Sequence, residues 1–165
     1  MRLHGSASLG LLLLGAAIGG PCGAPADRGN GCAGPMRDMV GRGRMPMSRV
    51  RHHIVMRRGL PAPYRGRKNP LRPTPEVLRK GRVLYEKYCQ VCHGASGRGD
   101  GPAAEGLDPR PTDIARSAKM PMASDAYLFW TLSEGGAAVG SAMPPFRDAL
   151  GEDEIWSLIL YLREL

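Results

Sequence analysis

The 165 residues suffice for one compact domain, or for one small domain with a long appendage. Gly (23) and Pro (15) take 38 positions and aromatics only 5%, so part of the chain lacks the apolar density of a packed core. The net charge of +8 is unevenly divided. Residues 1–70 hold 12 Lys+Arg against 2 Asp+Glu, and residues 71–165 hold 11 against 13, so the basicity belongs to one half and does not point to a nucleic-acid partner. No run of 18 apolar residues exists, which excludes an ordinary transmembrane helix.

Residues 1–26 read as a signal peptide. Arg2 precedes an apolar run from Leu9 to Ile18, too short to cross a bilayer but suited to a secretory core. Ala24-Pro25-Ala26 has the small residues of a cleavage site, and cutting after Ala26 would release a soluble exported protein. Cys22 offers the alternative of lipidation and a membrane tether, although Gly19-Gly20-Pro21 makes a poor lipobox. Either way the expectation is export, to a periplasm or to its membrane face.

Residues 27–72 form a basic Gly/Arg/Met/Pro-rich arm without apolar periodicity, predicted to be mostly disordered or extended. Met36, Met39, Met45, Met47 and Met56 surround His52-His53, and thioethers with imidazoles suit soft copper ions. The plainer reading is a flexible arm lying on a membrane, a partner or the adjoining domain. Residues 49–58 would form a short helical turn whose positive charge favours anionic headgroups or an acidic protein surface.

Residues 73–165 carry helical signals. Thr74 is an N-cap before Pro75, and Val77, Leu84, Tyr85 and Tyr88 fall on one stripe interrupted by Gly81. Glycine inside a helix costs roughly 1 kcal/mol against Ala, which a close helix crossing would explain. Ser124 caps a second segment, Asp125–Glu134, that ends at Gly135-Gly136. Glu152, Asp153 and Glu154 place negative charge on the first turn of a last helix that runs on through Ile155–Leu165 and is apolar nearly all round.

The chemistry concentrates in Cys89-Gln90-Val91-Cys92-His93, two thiols and an imidazole at the spacing of c-type haem attachment. The thiols would form thioethers with the porphyrin vinyl groups, and His93 would lie under the iron. A thioredoxin-like pair would want a βαβ pattern around it, and a structural zinc site a second ligand pair. Cys22 and Cys32 are the other cysteines. For the second axial position Met143, held by Pro144 and Pro145, presents a thioether on a rigid loop, and His/Met ligation raises the potential while leaving no open site. Met120 and Met122 are competing thioethers or pocket walls.

With these motifs in place, residues 71–165 resemble a class I c-type cytochrome domain of the bacterial monohaem kind. The resemblance rests on Gly81 and Tyr85, Cys89-x-x-Cys92-His93, Gly99-Asp100-Gly101-Pro102-Ala103-Ala104, the 107–113 loop, Met143-Pro144, and Ile155-Trp156 with Tyr161-Leu162. It implies an all-α fold: three to five helices around one covalently attached haem, preceded by the signal segment and the arm. It implies a first–last helix crossing of Gly81 against Trp156 or Tyr161. It also implies a proline carbonyl, from Pro109 or Pro111, that accepts the proximal imidazole proton. The resulting expectation is an exported one-electron carrier without bond-making catalysis, working with a redox donor and acceptor. Two alternatives stand beside it: a cytochrome subunit of a larger membrane oxidoreductase, and a copper-handling protein using the arm.

Overall fold

Helix capping and glycine placement account for most of the architecture. The structure, a computed structural model, describes residues 47–165, with side chains from Arg49 onward. The signal segment, Cys22, Cys32, Met36, Met39, Met45 and the Met47 side chain lie outside the described residues. All described residues fall in one unit, Gly34–Leu165. In chain order they form α1 (Met47–Arg58), a 3-10 turn (Ala62–Tyr64), α2 (Pro75–Tyr88), α3 (Gln90–His93), α4 (Ile114–Ser117), α5 (Asp125–Glu134), a second 3-10 turn (Ala137–Val139) and α6 (Glu152–Glu164). No strand occurs among the described residues.

The Thr74 hydroxyl accepts from the Val77 amide and Ser124 from that of Tyr127, satisfying amides that the helix itself leaves free. α6 starts with three acidic residues, and Glu154 reaches back to the Gly151 amide. Ile155, Trp156, Leu158, Ile159 and Leu162 of α6 are all buried, covered by α2, α4 and α5 together. That meets the requirement of an all-round apolar helix. Leu158 and Ile159 are fully buried, each worth about 1.5–3 kcal/mol against exposure.

The α2–α6 crossing defines the frame. A Cβ at Gly81 would stand 2.3 Å from the Ser157 carbonyl oxygen and 2.8 Å from Tyr161 Cβ, so only glycine lets the two backbones meet. The partners are thus Ser157 and Tyr161. Trp156, the other expected partner, is turned to α5, where it stacks on Phe129 with centroids 4.2 Å apart, because neighbouring helical residues face different directions.

Part of the arm is more ordered than expected. The helical turn read at 49–58 is a full helix, Met47–Arg58, and residues 49–72 lie along the domain. Arg51 on α1 is buried, Val55, Leu60, Tyr64 and Leu71 rest on the core, and Asn69 donates to the Trp156 carbonyl at 3.0 Å and accepts from the Leu71 amide. Arg67 lies over the Phe129 ring at 4.4 Å while its guanidinium donates to Glu152 at 2.6 Å. Besides Val55, Leu60 and Leu71, the attachment runs through arginine, asparagine and tyrosine, which an apolar-periodicity reading misses.

Candidate functional site

α2 ends at Tyr88 and delivers Cys89 directly to the short helix α3, so both thiols and His93 fall within one helical turn. Tyr85, almost fully buried, donates from its hydroxyl to the Gly94 carbonyl at 2.6 Å and pins the exit of that turn. The following Gly-Asp-Gly segment folds back along it. The amides of Gly99, Gly101 and Ala103 donate to the carbonyls of His93, Cys92 and Val91 at 2.9, 3.2 and 2.9 Å. A Cβ on Gly101 would come within 2.5 Å of the Val91 carbonyl oxygen, and Gly99 adopts φ +79°, so both glycines are required by close backbone approach.

His93 Nδ1 lies 2.9 Å from the Thr112 carbonyl oxygen. A carbonyl only accepts, so Nδ1 carries the proton and Nε2 keeps its lone pair, the tautomer a metal ligand needs. The acceptor is Thr112, not Pro109 or Pro111. A backbone acceptor is set by where the loop passes the ring, and no residue type encodes it. Burial lowers the His93 pKa and outweighs the opposing Thr112 hydrogen bond, so the imidazole is neutral. Burial, with Cys92 beside it, pushes the Cys89 thiol up to about 12.

Cys89, Cys92 and His93 open on a cleft lined largely by apolar side chains. Met143 lines the same cleft, and so do Met120 and Met122. The Met143 loop is tied to the end of α5. The Gly136 amide donates to the Met143 carbonyl at 2.8 Å, the Met143 amide to Ser141 Oγ at 3.2 Å, and the Phe146 amide to the Leu132 carbonyl at 3.0 Å. Gly135, at φ +65°, would place a Cβ 2.5 Å from Pro144, so this glycine allows the loop to close on the helix. Met120 and Met122 are more exposed, on a segment held by Arg163, which donates to the carbonyls of Ala118 and Ala123 at 3.0 and 2.9 Å.

Two further lining residues escaped the sequence reading. Arg51 reaches in from α1, and Thr131 lines the cleft while its hydroxyl, shut off from solvent, has no partner among the described residues. Neither lies in a motif; burial of a polar atom is visible only in the fold. His52 and His53 sit side by side on α1 with ring centroids 6.1 Å apart, and no group of three or more His, Cys, Asp or Glu able to hold a metal ion occurs among the described residues.

Two thiols, an imidazole with an available Nε2, a thioether and a largely apolar cleft form the donor set of a covalently attached, iron-centred porphyrin, and the residues fit that group. Residues 76–162 match the family model described as cytochrome c oxidase, cbb3-type, subunit III. The chain belongs to this family of c-type cytochromes. No match was found among curated proteins.

Among solved structures, the chain is similar to the reducing HAO-like protein complex of Kuenenia stuttgartiensis (31% identity, 58% of this chain and 46% of that one, TM-score 0.48). It is also similar to cytochrome cL of Methylophaga aminisulfidivorans (22% identity, 75% and 69%, TM-score 0.41). The chain thus spans less than half the length of the first of these. As a c-type cytochrome domain, residues 76–162 carry covalently bound haem c, an electron-transfer group. The all-helical domain has five α-helices from residue 73 onward among the described residues.

Proposed function

We propose that the chain is an exported monohaem cytochrome c that carries single electrons between a donor and an acceptor protein. Cys89 and Cys92 would hold the haem by thioethers, and His93 Nε2 and the Met143 thioether would be its iron ligands. The bound haem contributes reversible one-electron chemistry at iron. The protein residues bind and orient it. Thr112 keeps the imidazole ring in one rotation and one tautomer, Tyr85 and the glycine segment hold the attachment turn, and the α5 anchors hold the Met143 loop. The hydrogen bond from His93 Nδ1 to Thr112 carries this reading, because it selects the ligand tautomer of the one histidine that follows the thiol pair.

Export to the periplasm, free or tethered through Cys22, follows from the signal-like N-terminus. The exposed basic residues Arg49, Arg57 and Arg58 of α1 suit an acidic partner or an anionic membrane surface. A subunit role in a larger membrane oxidoreductase is the second reading, favoured by the description of the family that the chain matches.

Visible spectroscopy of protein matured with haem tests the ligand set. A Met–Fe(III) bond gives a weak absorption at the red end of the spectrum. Met143→Ala should abolish it, lower the potential and admit CO, while Met120→Ala and Met122→Ala leave it in place. Loss of the band in the Met120 or Met122 variant, with retention in Met143→Ala, would transfer the role.

A further inference from the structure

Arg51 is the residue of the described chain least explained by the fold. Its side chain comes from α1, outside the span matched by the family, yet it is 6% exposed and contributes to the wall of the haem cleft. One guanidinium nitrogen donates to the Gly135 carbonyl at 2.7 Å, and the guanidinium carbon lies 5.1 Å from the Trp130 ring centroid. No carboxylate pairs with it among the described residues. Other arginines have carboxylate partners: Arg147 pairs with Glu134 and Asp148, Arg163 with Asp125 and Arg67 with Glu152.

A buried arginine with a single carbonyl and an aromatic face is under-compensated. Desolvation disfavours its charged form, and removing an ion from water without a counter-charge costs several kcal/mol. Its guanidinium has five N–H donors and one nitrogen is engaged, so a fork remains for a planar anion. Thr131, one helical turn before Gly135 on α5, belongs to the same cleft wall. A buried cation with N–H groups to spare and a residue whose hydroxyl is unsatisfied among the described residues both line the cleft, and the group that fills it carries two carboxylates. The other arginine in the wall, Arg110, is exposed.

We infer that Arg51, with Thr131 as a second residue of the cleft wall, binds a haem propionate, so that α1 completes the haem site and holds the reduction potential up. The inference rests on the haem assignment above. Arg51 is a positioning and charge-compensating residue; the iron ligands are elsewhere. Its charge offsets that of the propionate, which otherwise favours Fe(III), and α1 is thereby clamped to the domain when the haem is in place.

The test uses full-length haem-loaded protein and three measurements on each variant: covalent haem content, the red-end Met–iron band, and the potential together with the propionate bending mode in the resonance Raman spectrum. Arg51→Gln should keep haem and band, lower the potential and shift the propionate mode, Arg51→Lys should restore the potential in large part, and Thr131→Val should shift the mode by less. An unchanged potential and mode in Arg51→Gln overturn the inference. So does a potential change that appears only with loss of the Met–iron band, since Arg51 would then act through Gly135 and the Met143 loop. If Arg51→Gln does not accumulate, wild-type protein still decides: transfer to D2O should shift a propionate mode bonded to exchangeable N–H groups, and an unshifted mode contradicts the pairing. Wild-type protein lacking covalent haem sinks the haem assignment itself, a result separable from all of these.

Discussion

The domain from residue 73 onward and the arm from 47 to 72 are held by different chemistry. In the domain, backbones meet at glycines and apolar faces close over them: Gly81 under Ser157 and Tyr161, Gly101 under Val91, Gly135 under Pro144. The arm is attached from outside by long polar side chains. Arg67 spreads over Phe129, Arg51 lies over Trp130, Asn69 bridges to the Trp156 carbonyl, and Tyr64 donates to Glu134, which also pairs with Arg147. Glycine contacts tolerate almost no added volume and fail abruptly. Polar attachments are separable, and each one lost removes a modest share of the hold.

The largest expected effect is therefore in the domain. Gly81→Val forces two backbones apart and should destabilise by about 3 kcal/mol, the upper end of overpacking penalties, read as a lower denaturant midpoint. A midpoint within error of wild type would show that α2 and α6 do not cross there.

Deletion of residues 47–72 comes next. It uncovers parts of Phe129, Trp130 and Trp156, so the melting temperature should fall while covalent haem and the Met–iron band persist. No change in melting temperature would mean that the arm is not packed on the domain in solution.

Arg67→Ala should cost about 1 kcal/mol, in the range of a partly desolvated cation–π contact, and Arg67→Lys should recover little because the flat guanidinium, not the charge alone, covers the ring. Full recovery with lysine would reassign the contact to the ion pair with Glu152. Smallest of all, Arg82→Ala breaks an exposed i,i+4 pair with Glu86 and should leave the midpoint where it was.

The same contrast explains what could be read from the sequence. Features encoded by residue type and spacing were legible: the Cys-x-x-Cys-His turn, the Thr74 and Ser124 caps, the acidic start of α6, and a mid-helix glycine that demands a close neighbour. Features encoded by the path of the backbone were not. The Thr112 carbonyl beside His93 Nδ1 carries no side-chain mark, so the expectation fell on prolines in the same loop. The extent of order in the arm is hidden for a related reason. Burial there comes from arginine stems and aromatic faces, and a run of Arg, Gly and Pro has the composition of a solvated linker. Trp156 stands beside Tyr161 as an alternative crossing partner because a bulky residue one position from a helix crossing resembles a crossing residue in sequence, while its ring belongs to Phe129.

The central claim, one haem held covalently at Cys89 and Cys92, is tested most directly by the intact mass of the denatured protein after expression with haem-maturation machinery. The account predicts that the wild-type chain carries the added mass of one haem through denaturation, and that Cys89→Ala/Cys92→Ala carries none. A double variant that retains the full added mass, or a wild-type chain that loses it on denaturation, would contradict the account.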